Sequence, residues 1–227
     1  MNLFNAIIDG NLKKVKELIE NGVDVNQTRT NGETPLFIAS RDGKLDVVKY
    51  LIENGADINK SKNNGYTPLY IASQYGHLEV VEFLVDNGAD INQPNNNGVT
   101  PLWISCQNRY LDLDFVKFLI EKGADINKPD NNGNTVLKKA SEDNRLDVVK
   151  LLVEKGADIN KSNKYGETAL YSASYYDHWD MVFFLIDNGA DIDGLTNAIK
   201  SLIKEDIDVG QHLDILKLII NKFRKED

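Results

Sequence analysis

The tetrapeptide Thr-Pro-Leu-aromatic returns at a fixed interval, and that interval limits what this chain can fold into. It reads Thr34-Pro35-Leu36-Phe37, Thr67-Pro68-Leu69-Tyr70 and Thr100-Pro101-Leu102-Trp103, each copy 33 residues after the last. Degenerate copies follow at Thr135-Val136-Leu137-Lys138, a step of 35, and at Thr168-Ala169-Leu170-Tyr171, a step of 33. A second block, Gly-Ala-Asp-Ile-Asn, keeps the same beat at 55–59, 88–92, 123–127 and 156–160. A period of this size means a stack of similar small units rather than one globular core, each unit touching only its neighbours.

One unit, residues 31 to 63, shows the local logic. Asn31-Gly32 is a turn pair suited to positive φ. Thr34 suits a helix N-cap, and Pro35 fits the first helical position, where a missing N–H costs nothing. A short helix to about Ser40 follows, with Leu36 and Ala39 on one face. Gly43 permits a tight connection to a second helix striped by Leu45, Val48, Leu51 and Ile52. Asn54-Gly55 stops that helix, and Asp57-Ile58-Asn59 leads into an extended, hairpin-like segment. Two short helices cannot bury such a stripe alone, but stacked units bury it mutually.

At this point the chain resembles the ankyrin repeat family. The residues that carry the resemblance are the Thr-Pro-Leu blocks, Gly43 and Gly76 between helices, Leu-Asp-Val-Val at 45–48, Leu-Glu-Val-Val at 78–81, and Gly-Ala-Asp-Ile-Asn. It covers nearly all 227 residues. The fold expected is therefore an all-α solenoid of helix-turn-helix units with protruding turns, in one domain. Full repeats fall at 29–61, 62–94, 95–129, 130–162 and 163–193, between an N-terminal cap at 1–28 and a C-terminal cap at 194–227. The resemblance further implies that first helices and turns line a concave groove, while second helices form the convex back.

Composition then narrows the partner. A formal net charge of −9 disfavours nucleic acid and anionic membrane surfaces, both of which call for a basic face. The single cysteine, Cys106, has no partner in the chain, which suits a reducing compartment. The first residues lack the pattern of a signal peptide, and no apolar run is long enough to span a membrane, so a cytoplasmic location is expected.

Departures from the regular pattern mark candidate sites. Members of the resembled family often carry a histidine after Thr-Pro-Leu, whereas Phe37, Tyr70, Trp103, Lys138 and Tyr171 stand here. These form either a packing ladder, the preferred reading, or an aromatic recognition stripe. The third repeat has two extra residues between its helices, near Arg109 and Tyr110. The fourth departs most: Val136 replaces proline, Lys139 stands where Ile38, Ile71 and Ile104 sit, and Glu142-Asp143 follow. Those charges either bind a partner or pair with one another, and the segment is expected to be the weak link. In the fifth, Tyr175-Tyr176 end the first helix where tyrosines serve binding better than folding. The expected partner-binding set is Tyr66, Gln74, Tyr75, Gln107, Asn108, Lys138, Lys139, Glu142, Asp143, Tyr175 and Tyr176.

Catalytic and cofactor chemistry has no foothold in the sequence. His77 and His178 recur three repeats apart, His212 lies in the last cap, and no Cys/His cluster has metal spacing. The carboxylates scatter at repeat spacing, and no phosphate loop leads into a lysine. The leading expectation is a monomeric, cofactor-free, non-enzymatic module that grips a protein partner. The alternative is self-association through the apolar last helix, with Leu213, Leu216, Ile219, Ile220 and Phe223. A weaker third is suggested by the resemblance: Asn59, Asn92, Asn127 and Asn160 each follow a leucine by eight residues. That is the context asparaginyl hydroxylases act on, although an asparagine there also serves the turn.

Overall fold

The computed structural model describes residues 1–108 and 112–192. Expectations placed on Arg109, Tyr110 and residues 194–227 lie outside the described residues. Within them the chain is all-helical, with twelve helices and no strand among the described residues. The helices come in consecutive pairs. These are α1 (Leu3–Ile8) with α2 (Leu12–Glu20), α3 (Pro35–Arg41) with α4 (Leu45–Glu53), and α5 (Pro68–Tyr75) with α6 (Leu78–Asp86). Then follow α7 (Pro101–Gln107) with α8 (Leu113–Glu121), α9 (Val136–Glu142) with α10 (Leu146–Glu154), and α11 (Ala169–Tyr175) with α12 (Trp179–Asp187).

Each Thr-x-Leu block starts a helix by the mechanism its residues suggest. The threonine Oγ1 accepts the backbone N–H three residues on, at 3.0 Å for Thr34 and Thr67, 3.2 Å for Thr100 and Thr135, and 3.1 Å for Thr168. Val136 and Ala169, which replace proline, leave this cap intact. Between the pairs, short turns close on themselves, as when Asn95 N–H donates to Val99 O (2.9 Å) and Gly98 N–H to Asn95 O (2.9 Å).

The pairs stack so that α1, α3, α5, α7, α9 and α11 form one continuous row. In the other row α2 packs on α4, α4 on α6, and α8 on α10. Of the predicted second-helix stripe, Val48 and Leu51 and their counterparts Val81, Leu84, Val116, Leu119, Val149, Leu152, Val182 and Leu185 are fully buried, whereas Leu45 and Ile52 are half-buried against this core. The first helices bury far more than the one face expected from Leu36 and Ala39. Every residue from Pro35 to Ser40 is buried, because α3 is flanked by α1 and α5 and backed by α4. No helix among the described residues is long and apolar enough to cross a membrane.

Candidate functional site

The asparagines of the Gly-Ala-Asp-Ile-Asn blocks, with Asn26 of the related Gly-Val-Asp-Val-Asn at 22–26, form a ladder. Asn26 Oδ1 accepts Asp57 N–H, Asn59 Oδ1 accepts Asp90 N–H, and Asn92 Oδ1 accepts Asp125 N–H, each at 2.8 Å. Asn127 repeats the bond with Asp158, and Asn160 with Asp191, at the same distance. The Nδ2 groups donate to the carbonyls of Gly55, Gly88, Gly123, Gly156 and Gly189. Capping the local turn falls to the aspartate two residues earlier: Asp90 Oδ1 accepts Asn92 N–H at 2.9 Å. Asn59, Asn92, Asn127 and Asn160 thus have their amides committed to the next unit.

A second ladder runs along the C-terminal ends of the first helices. The residue before α6, α10 or α12 makes no cap for its own helix and reaches across instead. His77 Nε2 meets Arg41 O at 2.8 Å, and His178 Nε2 meets Glu142 O at 3.1 Å. Arg145 Nη1 donates to Asn108 O at 2.9 Å, and Asn108 Nδ2 donates to Gln74 O at 2.9 Å. These donors satisfy carbonyls that a helix end leaves unpaired. Inter-unit histidine bonds therefore exist, from positions ahead of the second helix rather than after Thr-Pro-Leu. Gly43 is required here, since its φ is +65° and a Cβ would lie 2.7 Å from His77 Nδ1. Asn144 and Asp177 hold the equivalent left-handed position, which these residue types tolerate.

The third assembly sits between α9 and α11. Lys138 Nζ lies 3.1 Å from Glu167 Oε2 and 3.9 Å from Glu142 Oε2. Lys139 Nζ lies 2.9 Å from Glu142 Oε1 and 3.1 Å from Asp143 Oδ1. The two lysines are thus paired with carboxylates, one of the two readings their sequence allowed. Burial pulls the Lys139 ammonium towards deprotonation, but hydrogen bonds to Glu142 and Asp143 outweigh it and hold its pKa above the usual lysine value. Over this network lies a pocket of about 370 Å³, lined by Lys138, Glu142, Glu167, Tyr171, Ser172, Tyr175 and Tyr176. Tyr171 and Tyr175 stack with ring centroids 6.1 Å apart, and Tyr176 meets Tyr175 edge-on at 5.1 Å. Partial burial, then the neighbouring Glu142 charge, raises the Tyr176 hydroxyl above the usual tyrosine value.

The other expected site residues do not join this pocket. Gln74, Gln107 and Asn108 line a smaller one of about 210 Å³ with Ile104, at the C-terminal ends of α5 and α7. Tyr66 stacks on Tyr70 at 4.4 Å. Tyr75 is 57% exposed and Tyr176 49%, but Tyr175 is half-buried against Tyr171. Among the residues after Thr-Pro-Leu, Phe37, Tyr70 and Lys138 are buried and Trp103 and Tyr171 half-buried, so this position packs between units. Burial pushes the Cys106 thiol up to about 12, which leaves it a packed, unreactive group. Glu167 and the exposed Tyr165 were not foreseen, and the recurrence of His77 and His178 before a second helix was the signal for the second ladder.

Family comparison agrees with this architecture. A family model described as ankyrin repeats (3 copies) matches residues 3–95 and 90–163, and one described as ankyrin repeats (many copies) matches 152–204. The chain belongs to the ankyrin repeat family. Ankyrin repeats are generally protein–protein interaction modules. No curated protein matches this ankyrin chain. Among the described residues no group of three or more His, Cys, Asp or Glu side chains is placed to hold a metal ion.

Proposed function

We propose that this ankyrin repeat protein is a non-enzymatic module that binds a protein partner along its row of first helices, the row that lines the concave face in the family it resembles. The observation that carries the reading is the placement of Tyr75 and Tyr176. Tyr75 is the last residue of α5 and Tyr176 directly follows α11, both are about half exposed, and each stacks on the histidine two residues on, His77 at 6.3 Å and His178 at 6.1 Å. Neither ring is needed in the core, and tyrosine offers ring area and a hydroxyl while losing little side-chain freedom on binding. A row of this length readily supplies the roughly 800 Å² per partner of a standard interface. The net charge of −9 directs the partner class towards proteins and away from nucleic acids.

The test takes a partner recovered by affinity purification and mass spectrometry and measures its binding to defined variants. Tyr75→Ala with Tyr176→Ala should weaken binding by about 2 kcal/mol or more, the usual threshold for anchor residues, with little change in Tm. Lys117→Glu and Glu79→Lys, exposed on the second helices, should leave binding within about 0.5 kcal/mol. The opposite pattern would put the partner on the second-helix row and end this reading.

A further inference from the structure

At two places in the first-helix row the chain sets its own cation over its own aromatic ring. The Arg29 guanidinium lies over the Phe4 ring at 4.7 Å and beside Glu33 at 3.4 Å. The Lys62 ammonium lies 5.2 Å from the Phe37 ring centroid, 5.3 Å from that of Tyr66, and 3.9 Å from Glu33. In both places the recipe is an aromatic face, a carboxylate, and a cation from the next turn. Arg29, Lys62, Asn95, Asp130 and Asn163 occupy one position of successive turns, so the supply of cations stops after the second.

Around Tyr171 an aromatic face and a carboxylate recur, and among the described residues no cation lies over the rings. What remains at the α9–α11 pocket is a stacked tyrosine pair, a third ring set perpendicular to it, and the carboxylates of Glu142 and Glu167. Lys138 and Lys139 neutralise two of the three local carboxylates, counting Asp143, and leave one in excess.

We propose that this pocket is a cation subsite that takes an arginine side chain of the partner, its guanidinium stacked on the tyrosine rings and hydrogen-bonded to Glu167 and Glu142. The planar guanidinium is the cation suited to ring stacking and carboxylate pairing together. It competes with Lys138 for Glu167, as a fork with several donors against a point charge. The overall charge of −9 favours approach of a cationic segment. The inference rests on the first-helix row as the binding face, and it names the chemistry recognised there.

The probe is acetyl-Gly-Arg-Gly-amide, titrated into the isotope-labelled full chain and followed by NMR. Its citrulline analogue, of the same shape but neutral, and acetyl-Gly-Glu-Gly-amide serve as comparisons. The arginine peptide should shift the signals of Glu142, Tyr175 and Tyr176 in a saturable way, and citrulline should bind roughly fivefold or more weakly. Glu142→Gln with Glu167→Gln should bring arginine down to the citrulline level, while Tyr75→Ala should not. Equal binding of arginine and citrulline overturns the proposal, as does a lack of arginine binding, and neither needs a variant. Preference for the glutamate peptide at the same residues also overturns it, by making Lys138 the recognition group, yet leaves the binding face standing. Arginine shifts confined to second-helix residues overturn both.

Discussion

Asn92 is fastened to the unit after its own, and the residue scale is where the stack is stitched together. Its Oδ1 accepts Asp125 N–H at 2.8 Å, and its Nδ2 donates to Gly123 O at 3.1 Å. A net hydrogen bond is worth about 0.5–1.5 kcal/mol, so Asn92→Ala should cost about 1–3 kcal/mol in chemical denaturation. A loss below about 0.3 kcal/mol would mean that water replaces both bonds without penalty. The sequence showed this asparagine at every period but suggested a local role, because its partners are backbone atoms 31 to 33 residues away. Side-chain periodicity identifies a recurring position; it does not say which backbone groups that position faces. The same blindness hid the His77 and His178 bridges, whose acceptors are main-chain carbonyls of Arg41 and Glu142.

At the scale of one element, α9 shows a charged pair of residues doing the work of an apolar one. Lys139 replaces the isoleucine of the earlier first helices, and its side chain is only 17% exposed. Paired charges at such depth return little net stability, and replacing them with well-packed apolar groups is often neutral or stabilising. Amide exchange is therefore expected to be faster in residues 134–143 than in 67–76, and Lys139→Ile alone, which strips Glu142 and Asp143 of their shared cation, should speed it further. Equal exchange in the two wild-type segments would show that the ion pairs hold α9 as firmly as apolar packing holds α5. The departure of α9 from pattern was plain in the sequence, and so were the four charges within it. Glu167 was not, because the residue before each threonine varies (Glu33, Tyr66, Val99, Asn134) and only the stacking brings it to Lys138. The Tyr175 ring was likewise expected to be free, yet Tyr171, one turn back on the same helix, partly covers it.

Across the whole molecule the period decided the architecture, since near-constant spacing calls for similar units and similar units bury their stripes only against one another. The partner was not legible, because a repeat's consensus records what stacking requires and recognition lies in the few residues that depart from it. This one-dimensional design also makes stability a sum over neighbours. Leu84 is fully buried in α6, which packs against both α5 and α4. Leu84→Ala removes that side chain from a site enclosed on several sides, where the backbone has little room to collapse, so it should cost about 2–5 kcal/mol in chemical denaturation. Because coupling runs only through adjacent units, amide protection should fall most in α4 to α8 and least in α1 and α12. A uniform loss of protection from end to end would mean that the stack unfolds as one body, and a total cost below about 0.5 kcal/mol would mean that the second-helix stripe is not the core.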